Sequence, residues 1–189
     1  MTTINVVIFN KMKIEKEIRF KDIDKNKIIE RLQSVGAQLV HAEFTMKRSI
    51  FDIVDDTSAW VRLREEFGCV TLSVKKIVDE NSIDGTLEHQ INVSHFGETE
   101  ELLKLAGLKK RSYQENRRQK WMLGDVEVYI DEWPNLNPIL EIEGSGKDEM
   151  ASCVSKLGLN IDESTTKSIT TIYLEDLGLD IKRIDTLTF

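Results

Sequence analysis

Glu15-Lys16-Glu17-Ile18-Arg19-Phe20 carries a charged side chain at every second position, and apolar residues fill part of the alternate set. Successive side chains of a β-strand point to opposite faces, so this spacing places Glu15, Glu17 and Arg19 on one face. Like charges held so close raise each other's pKa unless a cation lies between them. The stretch therefore predicts a strand with one charged face.

A second acidic strand is predicted near the other end of the chain, where Glu141 and Glu143 alternate with Leu140 and Ile142. Carboxylate oxygens are the ligands that Mg²⁺ and Mn²⁺ prefer. A sheet face in contact with solvent would show the same alternation. At this level the two acidic strands fit either a solvated face or a metal site.

The basic residues follow the same two-residue period. Shared faces are predicted for Arg62 with Arg64, for Thr71 and Ser73 with Lys75, for Asn116 and Arg118 with Lys120, and for Glu127 and Tyr129 with Asp131. An open antiparallel sheet with one wet face would give this pattern, and so would a closed barrel with a charged interior. In a barrel the acids and bases would converge, and such cations suit phosphate groups.

The helical signals complete the predicted architecture. Apolar residues at helical spacing occupy residues 28–35, 100–106 and 150–157, and each segment is followed by a glycine suited to a helix C-terminus. A final helix is predicted over residues 168–177. We therefore expect an α+β protein, in which helices pack outside a mainly antiparallel, closed β-barrel of about eight strands.

A turn is predicted around Pro134 and Pro138, because proline interrupts the strand that carries Asp131 before the strand that carries Glu141 begins. A hairpin at this position would bring the three acids Asp131, Glu141 and Glu143 together. If these acids bind a metal, the turn would place Asp131 beside the strand that carries Glu141 and Glu143.

Bulk properties narrow the function classes. We expect residues 1–189 to form one domain, with residues 1–12 as an N-terminal arm or extra strand. The net charge of −7 argues against nonspecific nucleic-acid binding, and no long apolar run suggests a membrane span. Cys69 and Cys153 are expected to be free thiols in a reducing cytoplasm, so the predicted location is cytoplasmic.

The ordered set of motifs resembles the CYTH domain of the triphosphate tunnel metalloenzymes. That superfamily includes class IV adenylyl cyclases, thiamine triphosphatases and inorganic triphosphatases. The resemblance covers residues 13–178, which we take as the family-like core. It rests on Glu15-x-Glu17-x-Arg19 at the start, Arg62-x-Arg64 in the middle, and a late Glu-x-Glu pair.

The resemblance implies roles for individual residues. Phosphate binding is expected from Arg19, Arg62, Arg64, Lys75, Arg118, Lys120 and Lys167, of which Lys75, Arg62 and Arg64 are also expected to act in catalysis. Metal binding, to Mg²⁺ or Mn²⁺, is expected from Glu15, Glu17, Asp131, Glu141 and Glu143. Glu88 matches an interior acid of the family, and a solvated position for it stays open.

Two positions depart from the family pattern. Arg19 stands where a lysine is usual; it keeps the charge but lacks a compact, titratable ammonium. Ile50 stands where some relatives carry a tyrosine thought to help activate water, which leaves the identity of a general base open. A water activated by a bound metal would not need that tyrosine.

The resemblance implies a metal-dependent enzyme that acts on a small-molecule triphosphate, such as tripolyphosphate, thiamine triphosphate or ATP. Hydrolysis of the terminal phosphate is the leading expectation, because no motif clearly builds a purine pocket. The alternatives are a class IV adenylyl cyclase, which makes cyclic AMP and pyrophosphate, and a noncatalytic binder of nucleotides or polyphosphate. No nucleic-acid or membrane partner is expected, and a homodimer is left open.

Overall fold

The structure is a computed structural model that describes residues 12–189. The strands are β1 (Lys13–Glu15), β2 (Glu17–Phe20), β3 (Gln38–Asp52), β4 (Ala59–Glu66), β5 (Cys69–Ile77), β6 (Thr86–Val93), β7 (Lys110–Leu123), β8 (Val126–Glu132), β9 (Ile139–Glu143) and β10 (Thr186–Leu187). The helices are α1 (Lys25–Ser34), α2 (Phe96–Leu105), α3 (Lys147–Lys156) and α4 (Ile169–Leu177). The predicted arm at residues 1–12 lies, except for its last residue, outside the described part.

One interrupted N-terminal segment closes the sheet into a nearly complete barrel. The strand order is β1-β6-β5-β4-β3-β7-β8-β9-β2, and every pair along it is antiparallel. β1 and β2 are separated only at Lys16, so the same segment pairs with β6 at one edge and with β9 at the other. If β1 and β2 are counted as one strand, the path contains eight strands instead of nine. The predicted α+β barrel of about eight strands is confirmed.

The hydrophobic core lies between the barrel wall and the helices, not inside the barrel. Ile18 and Phe20 of β2 point outward and pack with Leu32 of α1 and Met150 of α3. A second apolar cluster joins β3 and β4 to α2, through Phe51, Leu63 and other side chains. Because the outward positions carry the apolar residues, the inward positions are left to charged and polar side chains.

The predicted helices are confirmed, with starts three or four residues earlier for the first three. Asp24 caps α1 by accepting a hydrogen bond from the Lys27 backbone N–H. The glycine after α1, Gly36, has φ of 77°, and the next N–H, from Ala37, donates to the Leu32 carbonyl. This Schellman ending needs a left-handed residue, which glycine adopts without strain.

The turn at Pro134 and Pro138 joins β8 to β9 as an antiparallel hairpin. In its register Asp131 faces Ile139, and Tyr129 faces Glu141. Tyr173 of α4 anchors the turn, because its hydroxyl donates to the Pro134 carbonyl oxygen at 2.6 Å. The hairpin thus places Asp131 and Glu141 on neighbouring strands. Within residues 12–189, no helix has the length and apolar character needed to cross a membrane.

Candidate active site in the barrel

Two connected cavities run through the barrel. The first has a volume of about 630 Å³ and the second about 450 Å³. They share lining residues, among them Arg19, Arg48, Arg62 and Trp133, so together they form one tunnel. All but one of the acids predicted to bind metal line the first cavity alone; Glu17 lines both.

Carboxylates pair with arginines inside the barrel, as the two arginines of β4 show. Arg62 of β4 contacts Glu88 of β6, with 2.7 Å between Nη2 and Oε1. Arg64, two residues on, contacts Glu66 at 3.0 Å. These side chains are 10–15% exposed, so their charges interact with little solvent screening.

Glu141 lies between two arginines. Its Oε2 accepts from Arg19 Nε at 2.9 Å, and its Oε1 accepts from Arg118 Nη2 at 3.0 Å. Burial alone would raise its pKa, but the charges of Arg19 and Arg118 hold the pKa of Glu141 well below its usual range. Asp131 receives two hydrogen bonds from Arg118, at 2.6 and 2.5 Å, while burial raises its pKa. Glu141 is therefore an ionised carboxylate at neutral pH.

The β1 acid pairs with the predicted lysine. Glu15 Oε2 lies 2.5 Å from Lys75 Nζ, and Glu88 lies 3.8 Å from the same atom. Burial raises the pKa of Glu15 to about 8, with Lys75 acting in the opposite direction. Glu88 differs: burial would raise its pKa, but Arg62, a hydrogen bond with Glu15 and the charge of Lys75 together hold the pKa of Glu88 below its usual value. The interior thus contains carboxyl groups of very different acidity within a few ångströms.

Glu143 is surrounded by other acids. It is directly opposite Glu17 of β2 on one side and opposite Glu127 of β8 on the other. Burial, followed by the charges of Glu141, Glu17 and Glu127, raises its pKa to about 7. Within residues 12–189 no base forms an ion pair with Glu143. Like charges at cross-strand positions are destabilising, and a bound cation would relieve that repulsion.

Hydrogen-bond donors without acceptors are found mainly on β3, β4 and β5, with one more at Trp133 after β8. In the described part of the chain, seven buried side-chain polar atoms have no hydrogen-bond partner. Six of them are the Nε atoms of Arg48, Arg62 and Arg64, the indole nitrogen of Trp133, and the hydroxyls of Thr71 and Ser73. The seventh, Glu15 Oε2, has the Lys75 ammonium beside it. The tunnel therefore presents unpaired donors where an anion could accept.

A sequence profile described as the CYTH domain matches residues 13–182 of this chain. The chain belongs to the CYTH domain family.

Proteins of similar sequence and structure agree with this membership. A Methanocaldococcus jannaschii protein named "Putative adenylate cyclase MJ0240" is 29% identical over 182 residues, covering 88% of this CYTH domain chain and 99% of that protein. A Vibrio parahaemolyticus structure titled "putative adenylate cyclase" superposes with a TM-score of 0.72 at 12% identity, covering 85% of this chain and 97% of the other. A conserved hypothetical protein of Pyrococcus furiosus gives 0.70 at 20% identity, covering 82% and 97%. These structures share the fold.

The CYTH tunnel brings together nearly all the residues singled out from the sequence. The first cavity is lined by Glu15, Glu17, Arg19, Arg62, Arg64, Lys75, Arg118, Lys120, Asp131, Glu141 and Glu143, and also by Glu88. Lys120 sits at its edge, where its Nζ donates to Glu127 Oε1 at 2.8 Å. These residues come from strands spread over most of the chain, and closure of the barrel brings the N-terminal Glu15, Glu17 and Arg19 to the others.

Lys167 is the exception, because the structure places its side chain outside both cavities. Its side chain lines neither cavity; Nζ instead contacts Glu175 at 2.6 Å, and both side chains are more than 40% exposed. What reaches the tunnel is its backbone, because the Lys167 carbonyl accepts from Arg19 Nη1 at 3.1 Å. The segment before α4 therefore supports Arg19 without adding a cation.

Arg48 is a functional candidate that the sequence argument missed. It lines both cavities and lies in β3, where the positions two residues away on either side are the apolar Met46 and Ile50. The two-residue alternation of charged side chains that marks the other strands is therefore absent around Arg48. The usable signal was the pairing of β3 with β4, in which Arg48 faces Arg64, but that register follows only from the fold.

Carboxylate oxygens are suitable ligands for a hard divalent cation, but several of these acids form ion pairs with basic residues in the structure. Within residues 12–189, no three acidic, histidine or cysteine side chains lie close enough together to hold a metal as they stand. Several of the acids are instead paired with Arg19, Arg118 and Lys75. Glu17 and Glu143, opposite each other on β2 and β9, supply the oxygen donors that Mg²⁺ and Mn²⁺ take.

Proposed function

We propose that this CYTH domain is a metal-dependent enzyme that binds a small-molecule triphosphate in the barrel and hydrolyses its terminal phosphate. The observation that carries the proposal is the division of the tunnel wall. Arginine N–H groups without acceptors lie on β3 and β4, and a group of repelling carboxylates lies on β2, β8 and β9. A polyphosphate and its cation would satisfy both sides.

The buried arginine and lysine side chains would bind the phosphate groups. Arg62 and Arg64 each have a free Nε–H, so each can offer a forked pair of donors to nonbridging oxygens. Arg19, Lys75, Arg118 and Lys120 would contact other phosphate oxygens from the remaining strands. The contacts of Arg62, Arg64 and Lys75 would strengthen as negative charge shifts during the reaction, and contacts that are stronger in the transition state lower the barrier.

Metal binding would fall to Glu15, Glu17, Asp131, Glu141 and Glu143. A bound Mg²⁺ or Mn²⁺ would neutralise phosphate charge and lower the pKa of a coordinated water. Glu143 has no basic partner in the described chain, so it is free to bind without breaking a salt bridge. Glu141 would have to give up its salt bridges to bind a metal. Phosphate oxygens could then replace it as the acceptors for Arg19 and Arg118.

Of the candidate reactions, hydrolysis requires the fewest features of this tunnel. It needs the phosphate chain held still, its charge neutralised and a water placed at the terminal phosphorus. The acids and bases of the first cavity can supply each of these functions. Since Ile50 offers no hydroxyl, the reaction must run without the tyrosine that some relatives carry at this position.

Cyclisation of ATP is the second candidate, favoured by the second cavity. That cavity, of about 450 Å³, is lined by Trp60, Trp133 and many hydroxyl side chains, which could hold a nucleoside. Two similar proteins also carry the name of an adenylate cyclase. This reaction would further require the ribose 3′-hydroxyl to be held in line with the α-phosphorus.

Product analysis separates the candidates. The protein is incubated with tripolyphosphate, thiamine triphosphate or ATP in the presence of Mg²⁺ or Mn²⁺, with a chelator control and an Arg62→Ala control. We expect orthophosphate from a triphosphate, and no product in either control. Cyclic AMP and pyrophosphate as the main products from ATP would establish the cyclase. Tight binding of triphosphate without turnover of any substrate would instead indicate a noncatalytic binder.

A further inference from the structure

Arg48 occupies the junction of the two cavities. It is one of the residues that line both, and it is only 9% exposed. Across the β3–β4 ladder it is directly opposite Arg64, and across the β3–β7 ladder it is opposite Gln114. Two guanidinium groups are thus held side by side in the barrel interior, where repulsion between them is weakly screened.

Arg48 differs from the other interior arginines in having no acid partner. Its Nη2 donates to Asn116 Oδ1, and its guanidinium carbon lies 4.6 Å from the ring centroid of Trp133. Within residues 12–189 no carboxylate forms an ion pair with it, whereas Arg62 has Glu88. Burial, and then the charges of Arg62, Arg64 and Arg118, push the pKa of Arg48 well below its usual value.

Unpaired donors converge on the same point. The Arg48 Nε and the Trp133 indole nitrogen are both buried without a hydrogen-bond partner, and both residues line both cavities. Trp133 is only 4% exposed. Leaving two buried donors without acceptors, and a buried charge without an ion-pair partner, is costly, so the site suits an acceptor that carries negative charge.

We infer that Arg48 and Trp133 form a phosphate subsite where the two cavities meet. It binds the phosphoryl group of a linear polyphosphate that points towards the second cavity, while the acid-lined first cavity receives the other end. The inference deepens the proposed function and rests on it. We expect the subsite to act as a specificity device: a chain of three phosphates should reach it while its other end occupies the first cavity, and a chain of two should not.

Calorimetric titration with two ligands of different length tests this subsite. Tripolyphosphate and pyrophosphate are titrated into wild type, Arg48→Gln and Trp133→Phe, with a chelator present so that no turnover interferes. Trp133→Phe keeps the ring under Arg48 and removes only the indole N–H. The matched control is Arg117→Gln, which removes the same charge from a neighbouring strand, where the Arg117 side chain is 43% exposed.

We expect Arg48→Gln to weaken tripolyphosphate binding tenfold or more and pyrophosphate binding less than threefold, because hydrogen bonds to charged groups contribute strongly. Trp133→Phe should act in the same direction with a smaller change, and Arg117→Gln should change neither ligand. Arg48→Gln should also unfold at a temperature no lower than wild type, since it removes buried repulsion. A role confined to folding would not discriminate between the ligands.

Equal weakening of both ligands, or unchanged tripolyphosphate binding, would overturn the subsite while leaving triphosphate binding by the tunnel intact. If wild type bound neither ligand, with or without Mg²⁺, the proposed function itself would fail. Should Arg48→Gln not fold, Trp133→Phe decides: a loss selective for tripolyphosphate supports the subsite, and no loss refutes it.

Discussion

Glu143→Gln is expected to stabilise the metal-free protein while abolishing its metal-dependent turnover. Glu143 faces Glu17 and Glu127, and its pKa is raised from 4.5 to about 7. A raised carboxyl pKa means that the folded state disfavours the charged form, so wild-type stability falls as pH rises from 4.5 to 7. A pKa shift of about 2.5 units means that Glu143 lowers the free energy of unfolding by at most about 3 kcal/mol above pH 7. At pH 5 the corresponding loss is about 1 kcal/mol.

Urea unfolding with a chelator present, at pH 5 and at pH 8, measures this difference. At pH 8 the midpoint of Glu143→Gln should exceed that of wild type by about 1 M or more, taking a urea slope of about 2 kcal/mol per molar. The control is Glu30→Gln, which removes an exposed charge from α1 and should shift neither midpoint. A gain of equal size at both pH values, or no gain at pH 8, would refute the argument from charge repulsion.

Three further outcomes follow from the ion pairs of the tunnel. Glu141→Gln should cost about 2 kcal/mol of stability in thermal or urea unfolding, the reverse of Glu143→Gln, because buried Arg19 and Arg118 each lose one charged hydrogen-bond partner while keeping Glu17 and Asp131; equal stability would contradict the pairing. Arg62→Lys or Arg64→Lys should lower kcat/KM by about tenfold or more, since an ammonium cannot reproduce the fork, and wild-type rates would exclude a forked contact. Lys167→Ala should leave kcat/KM within about twofold, because its ammonium pairs with exposed Glu175; a large loss would return that side chain to the site.

The sequence determined by itself which side of each strand is charged. The two-residue period is a local property of an extended chain, so the shared faces of Glu15 with Glu17, and of Arg62 with Arg64, could be predicted without knowing any strand partner. The helix ends could be predicted for a similar reason, because the glycines at 36, 107 and 158 act on their own helix. The helix starts were predicted several residues late, because hydrophobic spacing does not mark the polar first turn.

Only the tertiary structure decided that these faces form the inside of a barrel. Closure depends on the N-terminal segment pairing with β6 through residues 13–15 and with β9 through residues 17–20, and nothing in the local alternation requires it. Pairing across the barrel also showed Arg48, opposite Arg64, to be a tunnel residue. Such partners lie far apart in the chain, and their contacts depend on the register and closure of the whole sheet, which no local pattern specifies.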